Sequence, residues 1–113
     1  MRYLLLIGGT DKNAPPSPPD STMLQAFMKF SEEARNAGKT IVSERLRPED
    51  EASRVRVKAG QRQVTDGPFA ETKEVLGGFY LLECASKEEA LEWAKKVPIR
   101  EGGYVDVRPV WHM

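Results

Sequence analysis

Histidine and cysteine are almost missing from this sequence, with one of each, His112 and Cys84, in 113 residues. A single cysteine excludes an internal disulfide and suits a reducing compartment. One histidine and one cysteine far apart in sequence are too few for a tetrahedral zinc site without several carboxylates. No bound metal and no cofactor are therefore expected. A Ser/His/Asp triad is equally unpromising, because His112 stands next to the terminus, where chains fray. An excess of one charge is missing too: seventeen Lys and Arg balance seventeen Asp and Glu. The chain has no global field to draw it to duplex nucleic acid or an anionic membrane, so no specific nucleic acid is expected. The opening apolar run, residues 3–7, is too short for a signal core or a membrane span. The cytoplasm is the expected compartment. Gly8-Gly9 is followed by prolines rather than a helix, and the Rossmann and Walker spacings are absent.

What is present fits a single domain over residues 1–113, with room for one core. Residues 2–7 read as a strand apolar on both faces. Pro15, Pro16, Pro18 and Pro19 then impose a stiff extended loop. A helix is predicted to start at Asp20, Ser21 or Thr22, with Thr22 and Gln25 at capping-box spacing. Met23, Phe27, Phe30 and Ala34 give its apolar stripe, widened by Leu24 and Met28, and Gly38 closes it. That stripe reads as core.

Residues 40–46 form the next predicted strand, ended by Arg47-Pro48 and an acidic loop. Residues 53–58 and 61–65 read as a hairpin around Ala59-Gly60, with Arg54, Arg56 and Lys58 alternating with Val55 and Val57. Such alternation reads as a hairpin with one solvated face. Asp66-Gly67-Pro68 is a turn. Residues 76–84 make another apolar strand, with Cys84 a small core residue. Ser86 and Glu89 cap a second helix with Ala90, Trp93, Ala94 and Val97 on one face. Residues 104–110 give the last strand. The order implies an α+β, ferredoxin-like βαββαβ plan with an extra hairpin, and both helices on one face of an antiparallel sheet. The strands at 2–7 and 76–84 leave the other face apolar. A second copy packed sheet to sheet would cover it, giving a homodimeric α+β barrel.

The run Asp66-Gly67-Pro68-Phe69-Ala70-Glu71-Thr72-Lys73-Glu74, followed by Leu76-Gly77-Gly78-Phe79-Tyr80, resembles the signature of the DGPF group of YCII-related proteins. The opening Met1-Arg2-Tyr3-Leu4-Leu5-Leu6-Ile7, Trp93-Ala94 ahead of Pro98, and Val107-Arg108-Pro109-Val110 agree in order. The resemblance covers nearly the whole chain. It implies a ferredoxin-like fold dimerising as an α+β barrel, a bacterial origin, and a functional link to an extracytoplasmic-function (ECF) sigma factor. In the YCII branch a histidine of the first helix and an aspartate before a proline after the second helix form a proposed catalytic pair. Here the first helix has no histidine and Val97 precedes Pro98, so that acid–base mechanism does not carry over.

Three function classes follow. The first is a small-molecule-binding protein with a pocket between sheet and helices lined by Tyr80, Trp93 and Arg108. The Asp66 loop would border that pocket and contribute Asp66, Glu71, Thr72 and Lys73, because loops are the usual carriers of function. The second is an enzyme using carboxylates of that loop on a small substrate. The third is an interaction module for a regulator such as a sigma factor.

Overall fold

The computed structural model describes residues 1–9, 21–69 and 75–111. Among these residues, six strands and two helices follow in the order β1 Arg2–Gly9, α1 Ser21–Asn36, β2 Thr40–Arg45, β3 Ser53–Lys58, β4 Gln61–Asp66, β5 Val75–Glu83, α2 Lys87–Lys95 and β6 Gly103–Pro109. A 3₁₀ turn, Glu49–Glu51, lies between β2 and β3, where the sequence suggested only an acidic loop. Four strands form an antiparallel sheet in the order β2-β5-β1-β6, and β3-β4 is a separate two-stranded sheet. Taking β5 and β6 as the third and fourth strands of the βαββαβ plan, this is the ferredoxin-like arrangement, with the hairpin as an insertion.

Alternation sorts the sheet residues between two faces. Leu5 pairs with Tyr80 and Val107, Tyr3 with Leu82, and Ile7 with Val105. These side chains meet Phe30 of α1 and Ala90 of α2 in one core, with Trp93 and Phe27 packed against it. Both helices therefore cover the same face. On the other face Leu4 pairs with Leu81 and Leu6 with Phe79, and Val42 extends the Leu81 row. No described helix covers that second face. Gly8 belongs to it, after a bulge between Ile7 and Gly8, and a Cβ at Gly8 would lie 2.7 Å from the Tyr104 hydroxyl. Glycine there lets the tyrosine lie across the strand.

The helix ends follow from local chemistry. The α1 C-terminus is a Schellman closure, with Lys39 N–H on the Ala34 carbonyl (3.0 Å) and Gly38 N–H on the Arg35 carbonyl (2.9 Å). Gly38 takes φ +72°, the left-handed state that glycine adopts without a Cβ penalty. At the start of α1, Thr22 falls inside the helix rather than capping it, because Ser21 is already helical; Asp20 and the proline run lie outside the described residues. For α2, the Ser86 hydroxyl accepts from Glu89 N–H at 3.2 Å. The Glu89 carboxylate reaches back to Ala85 N–H at 3.2 Å, one residue before the cap.

The β3–β4 hairpin is a projecting arm. Its Ala59 and Gly60 have φ of 53° and 76°, the type I′ turn that suits strand twist. No other described helix or strand packs broadly on it. The chain's radius of gyration is 15.7 Å, above the about 13 Å of a compact domain this long. The arm is rooted where the Asp-Gly-Pro turn meets the 3₁₀ turn. Gly67 N–H donates to the Ala52 carbonyl at 2.8 Å, and the Gly67–Pro68 bond is cis. A Cβ on Gly67 would collide with the Glu49 carbonyl.

Candidate functional site

A cleft of about 1340 Å³ opens between the N-terminal half of α1 and the end of the sheet where β5 begins and β2 ends. Phe30 and Ala34 of α1 are buried in the core. Phe27 packs on the edge of that core and, with Met23, Leu24 and Met28, forms the cleft's apolar wall; Met28 is 62% exposed. The expectation that this whole stripe is core is thereby corrected. The stripe's spacing is right for a helix, but the sheet below it ends in Gly77-Gly78, which carry no side chains to meet it.

Three glycine pairs rim the cleft: Gly8-Gly9, Gly77-Gly78 and Gly102-Gly103. They come from three different strand ends brought together by the β5-β1-β6 order. Gly78 is required by the fold, because a Cβ there would lie 2.9 Å from the Glu44 carbonyl. An added Cβ at Gly9 or Gly77 would have no neighbour nearer than 3.8 Å, so the chain's own packing leaves space over the backbone at both.

Ser31 of α1 and Tyr80 of β5 also line the cleft, where they share a hydrogen bond of 2.7 Å between hydroxyls. Tyr80 is 6% exposed and held edge-on to Phe30, with ring centroids 5.0 Å apart. Burial pushes the Tyr80 phenol above its ordinary range, and the bond to Ser31 offsets this in part. The pair is thus a neutral donor and acceptor in an apolar setting, suited to orienting a polar group rather than to removing a proton.

The remaining predicted site residues separate. Trp93 packs behind Phe30, 6.2 Å between ring centroids, with the Lys96 ammonium 4.7 Å from its ring. It supports the wall without lining the cleft. Arg108 pairs with Leu4 across β6–β1 and lies on the opposite face of the sheet from Tyr80, so the grouping of Tyr80, Trp93 and Arg108 in one pocket is corrected. The signal was in the sequence: Val105 and Val107 are the apolar alternation of β6, and Arg108 is out of phase with them. Asp66 is exposed at the root of the arm, where its carboxylate accepts from the Ser53 hydroxyl at 3.0 Å. Glu71, Thr72 and Lys73 lie outside the described residues, as does His112.

Of the Asp-Gly-Pro-Phe turn, Pro68 and Phe69 line the cleft, and Asp66 and Gly67 do not. Phe69 is 8% exposed. Its N–H donates to the Glu49 carboxylate at 3.1 Å, and the Arg54 guanidinium lies 3.9 Å from its ring centroid, a cation–π contact. One side of this knot is the arm's root and the other is cleft wall. Val75, where the described chain resumes after residue 69, lines the cleft as well.

Cys84 belongs to the core at 2% exposure. Burial pushes its thiol up, and the neighbouring Glu89 carboxylate pushes it further. Glu89 itself bonds the Lys39 ammonium at 2.9 Å. Among the described residues, no group of three or more His, Cys, Asp or Glu is placed to hold a metal, and no helix is long and apolar enough to cross a membrane.

A four-stranded antiparallel sheet with two helices on one face, and a cleft at the glycine-rich strand ends, defines a small ferredoxin-like α+β domain. The chain belongs to the YCII-related domain family, whose model matches residues 1–113. It is also 47% identical over 76 residues to an uncharacterised protein of Rhizobium meliloti. That match covers 66% of this chain and 61% of the relative, so the chain spans less than two thirds of that protein's length.

Proposed function

We propose that this protein binds a small organic ligand in the cleft between α1 and the β5 end of the sheet, and that it does so as a homodimer. The observation that carries the reading is an apolar wall beside a neutral hydroxyl pair, in a cleft whose lining also includes charged residues such as Arg35, Glu44 and Arg45. Met23, Phe27, Met28 and Phe69 supply the wall, and the Ser31–Tyr80 hydroxyl pair supplies the anchor. Apolar lining with a few placed polar groups is the usual build of a ligand pocket. The ligand this favours has an apolar body against that wall and a hydrogen-bonding group at the Ser31–Tyr80 pair, with polar or charged substituents able to meet the charged part of the lining. Accessible backbone at Gly9 and Gly77 lets its edge approach the strand ends closely.

Catalysis by carboxylates of the Asp66 loop has less support, because Asp66 is turned to Ser53 rather than lining the cleft. Support for the homodimer is the sheet face away from the helices, where Leu4, Leu6, Phe79 and Leu81 lie without a covering element among the described residues. An interaction module tied to an ECF sigma factor would need apolar surface beyond what that pairing covers.

The reading is tested by a thermal-shift screen of small organic molecules on the wild type, Tyr80→Phe and Asp66→Ala. Hits should stabilise the wild type and Asp66→Ala alike and lose most of their effect on Tyr80→Phe. Hits that survive Tyr80→Phe but vanish on Asp66→Ala would move the site to the loop and overturn the cleft assignment.

A further inference from the structure

We infer that the β3–β4 arm is a dimer clasp, laying its valine face on a second copy of this chain. The inference rests on the homodimer reading and adds the element that holds the two copies together.

Register divides the arm into two unlike faces. Val55 sits opposite Val64, and Val57 opposite Arg62; Arg54, Arg56 and Lys58 alternate to the other side. Val55, Val57 and Val64 are 60%, 63% and 70% exposed. An isolated two-stranded hairpin is marginal in water, and a valine-lined face without cover makes it more so. This arm is nonetheless fixed at its base, where the Gly67, Phe69 and Arg54 contacts join it to the 3₁₀ turn. At about 3.4 Å per residue, its six-residue strands place the Val55–Val64 pair about 7 Å and Val57 about 14 Å out from the Ser53–Asp66 pair at that root.

The same chain presents a second uncovered apolar surface, the sheet face of Leu4, Leu6, Phe79 and Leu81, edged by Val42 at 40% and Leu76 at 48% exposure. Together the two surfaces amount to several hundred Å² of apolar area, more than a monomer usually leaves open and on the scale of the roughly 800 Å² per partner of a stable interface. A two-fold pairing closes both in one event, each copy giving an arm and receiving one. A partner of another kind would have to match two separate surfaces at once. A second copy is the economical occupant.

The experiment is sedimentation equilibrium on the wild type, Val57→Glu, and the double variant Val55→Glu with Val64→Lys. Glutamate at 57 faces Arg62, and the double variant makes an ion pair across the strands, so each keeps the hairpin paired while removing its apolar face. Far-UV circular dichroism identifies any variant that misfolds, and Val57→Glu then decides alone. The expected result is a wild-type dimer at micromolar concentration, with the dissociation constant raised at least about a hundredfold in the variants. A wild-type dimer whose variants dissociate within threefold of it would overturn the clasp and leave the dimer standing. A wild-type monomer would overturn both.

Discussion

Replacing Gly67 with alanine adds one methyl group where the fold has no space for it. The new Cβ would run into the Glu49 carbonyl and lie 3.2 Å from its carbon and 3.3 Å from the Ala52 oxygen. All three are backbone atoms, so no side chain can swing aside. The 3₁₀ turn cannot retreat cheaply either. Glu51 N–H is held on Pro48 O and Ala52 N–H on Glu49 O, both at 3.0 Å, while Gly67 N–H is held on Ala52 O at 2.8 Å. Relief requires giving up the last of these, at about 1 kcal/mol, on top of the 1–3 kcal/mol or so that overpacking costs. A loss of about 2–4 kcal/mol is expected, a large part of the roughly 5–15 kcal/mol available to a domain. Urea unfolding followed by circular dichroism and by tryptophan fluorescence reads it directly. Gly9→Ala is the control, since nothing lies nearer than 3.9 Å to a Cβ there, and it should stay within about 0.5 kcal/mol of wild type. If Gly67→Ala matches that control, the knot between the two turns does not exist as described.

Three further outcomes are expected. Ser86→Ala removes the hydroxyl that accepts Glu89 N–H and should cost about 1 kcal/mol in urea unfolding, whereas Ser86→Gly should cost only a few tenths. Glu89 has its pKa lowered from 4.5, first by the Lys39 ammonium and then by Ala85 N–H. Its stabilisation is therefore present at neutral pH and lost as pH falls below 4.5 through the folded value. The urea midpoint of Glu89→Gln should drop less between pH 6 and 3 than that of the wild type. Burial and the adjacent Glu89 carboxylate both raise the Cys84 thiol, so a disulfide reagent at pH 8 should label it only after unfolding. Fast labelling of the native protein would put Cys84 at the surface.

Much of this architecture was legible because short-range chemistry and burial agree. Ser86 and Glu89 announce α2, Gly38 ends α1, and Ala59-Gly60 turns the arm, each through local backbone demands that no distant contact overrides. The site was less legible because it depends on what lies across from each residue. Met23 and Met28 have core spacing, yet the sheet beneath them ends in glycines. Tyr80 lies on the helix side because it alternates in phase with Leu82, while the neighbouring Phe79 faces the other way. Ser31, its hydrogen-bond partner, gave no signal: a serine on a helix is ordinary until the strand opposite is known. The acidic stretch after Pro48 looked like loop; it is a 3₁₀ turn packed against Gly67, a residue distant in sequence. The Asp-Gly-Pro-Phe run is specific in sequence, and its described part acts as a fastening between arm and body, with Phe69 as the face it lends to the cleft.

The measurement that bears most directly on ligand binding in the cleft is amide chemical-shift mapping with the strongest screening hit titrated into isotope-labelled wild-type protein. Saturable shifts are expected at Phe27, Ser31, Phe69, Gly77 and Tyr80, with Arg108 and the Ala59-Gly60 tip unmoved. Saturable shifts centred on β6 around Arg108 or on the tip of the arm, with Ser31 and Tyr80 unchanged, would contradict binding in the cleft.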